Sequence, residues 1–165
     1  MTDATSLDGR QRAFLIAARS ATLATVAPSG RPRLVPICFV VGADAPEGRP
    51  QLYSPLDDKP KSVVDPRRLA RVRDLLARPD ATLLVDRWSE DWERLGWLRL
   101  EATADLVEPR GSGAAEHDDA VAALRAKYPQ YAGHLLEDRP MLRFRVDRAL
   151  SWGVLETEDG RAAGG

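Results

Sequence analysis

Short apolar runs cut by tight-turn residues constrain this chain more than any other feature. Residues 21–26 (ATLATV) alternate and are rich in Thr and Val, the pattern of a strand. Pro28-Ser29-Gly30 is a turn signal, and 33–41 (RLVPICFVV) resumes as a second strand, so the two predict a hairpin. Further strands are expected over 51–54, 81–87 (ATLLVDR, read as fully buried), 97–108, 140–147 and 149–155. Helices are expected over 10–19, 62–78 and 116–127, the second with an uncertain start because of Pro66. Seven short strands joined by short turns predict antiparallel pairing and a mainly β, α+β fold closing into a barrel. Three helices are too few to cover both faces of a doubly wound parallel sheet. Pro36 cannot donate to a ladder, so its strand should carry an edge, a bulge or a ligand at that point.

The 165 residues are one domain's worth, so a single domain over 1–165 is expected, with a core of about 10–155. With 24 basic and 25 acidic residues the net charge is −1, which argues against a general nucleic-acid or membrane binder. No stretch approaches the roughly 20 apolar residues that cross a bilayer, and the N-terminus lacks a signal peptide's basic start and apolar centre, so a cytoplasmic protein is expected. One cysteine, Cys38, and two histidines, His117 and His134, exclude an intrachain disulfide, a thiolate-rich metal site and a multi-histidine metal centre. Both histidines read as surface positions, and Cys38 as a buried small hydrophobe. Chemistry here must use a borrowed cofactor, carboxylates or arginines. No GxGxxG or GxxxxGK[ST] phosphate loop is present.

Three segments are candidates for a site. On the Pro36 strand, Arg33 and Val35 share one face and Leu34 and Pro36 the other; the alternative is an edge strand with solvated arginines. Next, Tyr53-Ser54 precede Lys59 and Lys61, two of only three lysines in a chain whose other 21 basic residues are arginines. A hydroxyl, two ammonium groups and a helix mouth would make a cradle for one or two phosphates, against a merely solvated, charge-laced helix. Finally, Trp88, Trp92 and Trp97 fall within ten residues. Core packing or a subunit interface is the favoured reading, ahead of cofactor contact.

In this order, ATLATVAPSGRPRLVPICFV, LYSPLDDKPK and RRLARVRDLLARPDATLLVDRW resemble the pyridoxamine 5′-phosphate oxidase-like split-barrel proteins that bind FMN or the deazaflavin F420. The likeness is greatest to the PPOX-class F420-dependent oxidoreductases. It implies a six-stranded antiparallel Greek-key split β-barrel, a homodimer with cofactor at the interface, and a small-molecule substrate. By the same resemblance, Arg33, Leu34, Val35 and Pro36 run along the ring system. Tyr53 and Ser54 lie near the phosphate, Lys59 and Lys61 hold it, and Trp88 and Trp97 approach from the interface. No catalytic residue is implied, since the redox atom belongs to the cofactor. Two departures weigh against vitamin B6 oxidation. The phosphate motif is D-K-P-K where the oxidases have S-R-K, and no R-x-H follows Trp152. F420 is therefore expected first and FMN second. A non-catalytic carrier, or a haem-related binding module on the same barrel, stays open.

Overall fold

In the computed structural model, which describes residues 2–4, 6–56 and 65–156, the alternating runs become one antiparallel sheet. Its strands are β1 (Thr2–Ala4), β2 (Ala21–Val26), β3 (Pro32–Ile37), β4 (Val40–Val41), β5 (Gln51–Pro55), β6 (Asp80–Arg87), β7 (Gly96–Val107) and β8 (Met141–Gly153). Three helices accompany it: α1 (Gly9–Ala17), α2 (Ala70–Ala77) and α3 (Ala114–Lys127). The strand order is β3-β2-β6-β7-β8-β5-β4, with β1 beside β8. β3 and β4 are consecutive in the chain yet end the run on opposite sides, which makes a split barrel. The run holds seven strands where the family resemblance implied six, and β1 is a short eighth.

Alternation places the core. Leu23, Leu83, Leu98 and Leu100 are fully buried on successive neighbouring strands, with Leu52 and Phe144 from β5 and β8. Helix α1 closes one side with Phe14 and Leu15. It starts at a capping box, in which the Asp8 carboxylate accepts the Gln11 N–H at 2.8 Å and Gln11 Oε1 accepts the Asp8 N–H at 3.1 Å. A second cluster forms beneath α3, from Val121, Leu124, Tyr128 and Tyr131 against Val40 and Tyr53. No helix among the described residues is long and apolar enough to cross a membrane.

Several expected elements differ in their limits. The 33–41 strand breaks at Cys38-Phe39 because α3 takes the backbone there. The Phe39 N–H donates to the Tyr128 hydroxyl at 3.1 Å, and Lys127 Nζ donates to the Phe39 carbonyl at 3.0 Å. Cys38 at this joint is half-buried. Strand β6 is buried only at alternate positions, Ala81, Leu83 and Val85, because its other face looks outward. The strands expected over 140–147 and 149–155 are one strand, continuous through a bulge at which Glu101 pairs Arg148 and Ala102 pairs Val146. Asp147, left over, accepts from Thr103 Oγ1 at 2.8 Å and Arg49 Nη1 at 2.7 Å.

The helix expected over 62–78 is α only over Ala70–Ala77. Pro66–Arg68 forms a separate 3-10 turn, and extended Leu69 divides the two; residues 62–64 lie outside the described residues. His117, expected at the surface, is fully buried on the inner face of α3, its Nε2 2.8 Å from the Arg139 carbonyl. A carbonyl only accepts, so Nε2 carries the proton.

Gly96 and Gly153 face each other across β7 and β8. A Cβ on Gly153, whose φ is +77°, would lie 2.1 Å from the Leu95 carbonyl oxygen, so the backbones meet where no side chain fits. Gly153→Ala should cost more than about 1 kcal/mol, and Leu100→Ala about 2–5 kcal/mol through cavity formation. Urea unfolding curves check both.

Lys127 is half-buried over the Phe39 ring, its Nζ 4.2 Å from the centroid. Burial, and then the Arg19 charge, push its amine down from 10.5 to about 8. The unfolded chain therefore binds more protons between these values, and this lysine's contribution makes stability rise with pH across that window. Below about pH 8 the buried ammonium exacts its full cost. Lys127→Met should flatten the rise, as measured by urea unfolding at about pH 7.5 and about pH 10.

Candidate functional site

Strand β3 pairs only with β2 and so forms one edge of the sheet, the setting in which Pro36 is tolerated. Leu34 and Pro36 point outward, and Leu34 is 65% exposed. Val35 turns inward and packs at the margin of the main core. Arg33 shares its side. Its Nε donates to Asp74 Oδ2 at 2.8 Å, and the Thr25 hydroxyl donates to the same oxygen at 2.9 Å. Asp74 comes from α2 and is 4% exposed, so a buried carboxylate fixes a half-exposed arginine from behind. Among the described residues the terminal amines of Arg33 have no other partner. The edge therefore presents an apolar step on its outward face and, on the opposite face, a guanidinium anchored by a buried carboxylate, the kinds of contact that an anionic, planar ligand uses.

On β5, successive residues face opposite sides. Ser54 shares the side of Leu52 and is buried. Tyr53 turns to the α3 side, where its hydroxyl donates to Glu116 Oε1 at 2.5 Å. Burial, and then the Glu116 carboxylate, push the Tyr53 phenol up. Glu116 also accepts from Arg143 Nη1 at 2.8 Å on each oxygen, and Asp105 accepts from Arg143 at 2.9 and 2.6 Å. These partners hold the carboxyls of Glu116 and Asp105 low despite burial, which acts in the opposite direction. Lys59 and Lys61 lie outside the described residues.

The tryptophans are not core residues. Trp88 and Trp92 are 69% and 74% exposed on the β6–β7 connection. Half-buried Trp97 sits directly opposite Trp152 across β7 and β8. Trp97 lies three strand spacings from β3, roughly 14 Å at about 4.8 Å per strand. Within one chain Trp97 and the β3 edge are therefore three strands apart.

Sequence reasoning missed Asp74, Thr25, Glu116, Asp105, Arg143 and Arg145. The alternation in PMLRFRVD signals that Arg143 and Arg145 share one face of a strand. Nothing in the order of residues says that Asp74 meets Arg33, because helix and strand meet only in the fold.

An open antiparallel barrel with a short crossing helix and a polar-anchored edge strand is the frame of a split-barrel protein. The chain belongs to the pyridoxamine 5′-phosphate oxidase family, whose model matches residues 7–153. Among curated proteins none matches it. Solved structures share its fold at low identity. The conserved hypothetical protein Rv2991 from Mycobacterium tuberculosis is 19% identical, with a TM-score of 0.64 over 91% of this chain and 88% of that one. HutZ, the haem storage protein from Vibrio cholerae, is 15% identical, with a TM-score of 0.57 over 92% and 99%. An F420 reductase is 18% identical, with a TM-score of 0.56 over 87% and 98%.

Asp74→Asn keeps the shape of the anchor but removes its charge. It should lower stability by about 1.5–3 kcal/mol, the range for a hydrogen bond to a charged group. Chemical denaturation of the variant beside Arg33→Gln checks this. The double variant should cost less than the sum of the two single changes, because they remove one interaction.

Proposed function

We propose that this protein is an oxidoreductase that binds coenzyme F420 between two copies of the chain and acts on a small organic substrate. Family membership supports a flavin-type ligand, and edge strand β3, with exposed Leu34 and Pro36 on one face and anchored Arg33 on the other, is the observation that carries the reading. The fit is chemical. A planar ring needs an apolar surface, and a cofactor with ring carbonyls and a phosphate needs fixed donors. The outward face of β3 offers the apolar surface, and the terminal amines of Arg33, unpartnered among the described residues, offer the donors. F420, when bound, supplies two-electron hydride exchange with the substrate at its ring carbon.

The chain's own part is binding and orientation. Asp74 and Thr25 restrict Arg33 so that little side-chain freedom is lost on ligand contact. Leu34 and Pro36 lie along the ring, and Lys59 and Lys61 take the phosphate. The second copy covers the apolar surface of Leu34 and the exposed tryptophans, which are enriched at interfaces. Its approach also brings tryptophan to an edge from which the chain's own Trp97 is three strands away. FMN offers a similar ring and phosphate and is the second ligand for the same groove. Haem is a further alternative. His117 is buried with Nε2 on the Arg139 carbonyl, so it could serve as an iron ligand only by giving up that bond.

Equilibrium titration with F420 and FMN side by side tests the reading. F420 should bind more tightly, and Lys59→Ala with Lys61→Ala should weaken it by several kcal/mol, at about 1.5–3 kcal/mol per charge-assisted bond. Unchanged affinity in the double variant overturns the phosphate assignment. Tight binding without turnover across a panel of acceptors makes the protein a carrier, and a Soret band in the purified protein makes it a haem protein.

A further inference from the structure

A cleft of about 530 Å³ opens between α3 and the β4–β5–β8 side of the sheet, within the roughly 300–1,000 Å³ range of small-molecule sites. Its floor consists of two cross-strand pairs, Gln51 opposite Arg145 and Tyr53 opposite Arg143. Two of its three arginines are committed elsewhere. Arg143 is shared between Asp105 and Glu116 through four short hydrogen bonds. Arg49 places Nε and Nη2 on Glu47 and Nη1 on Asp147.

Arg145 differs. Its one hydrogen bond among the described residues runs from Nη1 to Asp105 Oδ2 at 3.1 Å, so Nε and Nη2 remain open. Its side chain is 25% exposed, which leaves the charge only partly hydrated. Val40, Ala43, Pro46, Ala120 and Ala123 make most of the remaining wall apolar. An inorganic anion would use the arginine and leave these walls wet. An anion carried on an apolar body uses both. Glu47, Glu116 and Asp119 also line the cleft, and their carboxylates disfavour a second negative charge on the ligand.

We propose that this cleft is a binding site for a monoanionic and otherwise apolar small molecule, an aryl or alkyl carboxylate, with the carboxylate on Arg145 and the body against Ala43, Ala120 and Ala123. The site is separate from the proposed cofactor groove. Of the described residues assigned to the cofactor only Tyr53 lines it, and the hydroxyl of Tyr53 is engaged by Glu116.

Titration of the full chain with 2-naphthoate, followed by the probe's fluorescence, tests the proposal, with neutral 2-naphthamide alongside. Naphthoate should saturate at one per chain, and the amide should bind about tenfold more weakly or worse, because it lacks the charge-assisted contact. Arg145→Gln should remove that preference and leave amide binding unchanged, while Arg145→Lys should restore part of it. Ala123→Trp fills the cleft and should abolish binding of both probes, with the thermal midpoint confirming that each variant folds. Undiminished naphthoate affinity in Arg145→Gln or in Ala123→Trp overturns the proposal. So does displacement of naphthoate by F420 or FMN, which would place the probe in the cofactor groove. A failure of the cofactor titrations alone leaves the naphthoate, amide and variant outcomes readable, because those arms use no cofactor.

Discussion

Strand β8 is the constraint on which the rest of the structure depends. It pairs with β7 along its length, while its other edge is shared between β5 at one end and β1 at the other. Its inward residues Leu142, Phe144 and Val146 belong to the main core, and its outward Arg143 and Arg145 carry the charges beneath α3. The bulge at Asp147 shifts the phase by one residue, so that Ala149 faces inward where unbroken alternation would place Arg148. One strand thus supplies the hydrophobic floor, the ionic floor and the partner of Trp97.

That phase shift also explains what could be read from the residues. The first half of β8 alternates and the bulge breaks that phase, so the sequence reads as two strands; the pairing that joins them belongs to β7. Strand β2 was legible to the residue because its alternation and the following Pro-Ser-Gly turn agree. The 33–41 run misled because its apolar character continues through Cys38 and Phe39, while the break there is imposed by Tyr128 and Lys127 from the far end of α3. His117 misled similarly. Its neighbours Glu116, Asp118 and Asp119 are polar, but helical spacing groups it with Val121 and Leu124 beneath the helix.

The candidate site divides in the same way. The exposure of Leu34 and Pro36 and the inward turn of Val35 follow from strand periodicity and an edge proline. The anchor on Arg33 does not, because it needs α2 to lie across β2 and β3. Tyr53 shows how a residue type can be noticed correctly while its contact stays hidden. Alternation on β5 sends it away from Ser54, to a carboxylate on a helix 63 residues later in the chain. Two sets of charges result. One is an arginine fixed from behind and open in front, and the other is a nearly closed network with a single arginine left partly uncommitted.

At the tryptophan end, β7 and β8 approach through bare backbone at Gly96 and Gly153. Mutational drift there is unequal. The indole rings of Trp88, Trp92 and Trp152 project outward and can be exchanged for other shapes without disturbing the seam beneath them, whereas the two glycines admit no replacement. The shape of this rim can therefore vary while the joint that carries it stays fixed.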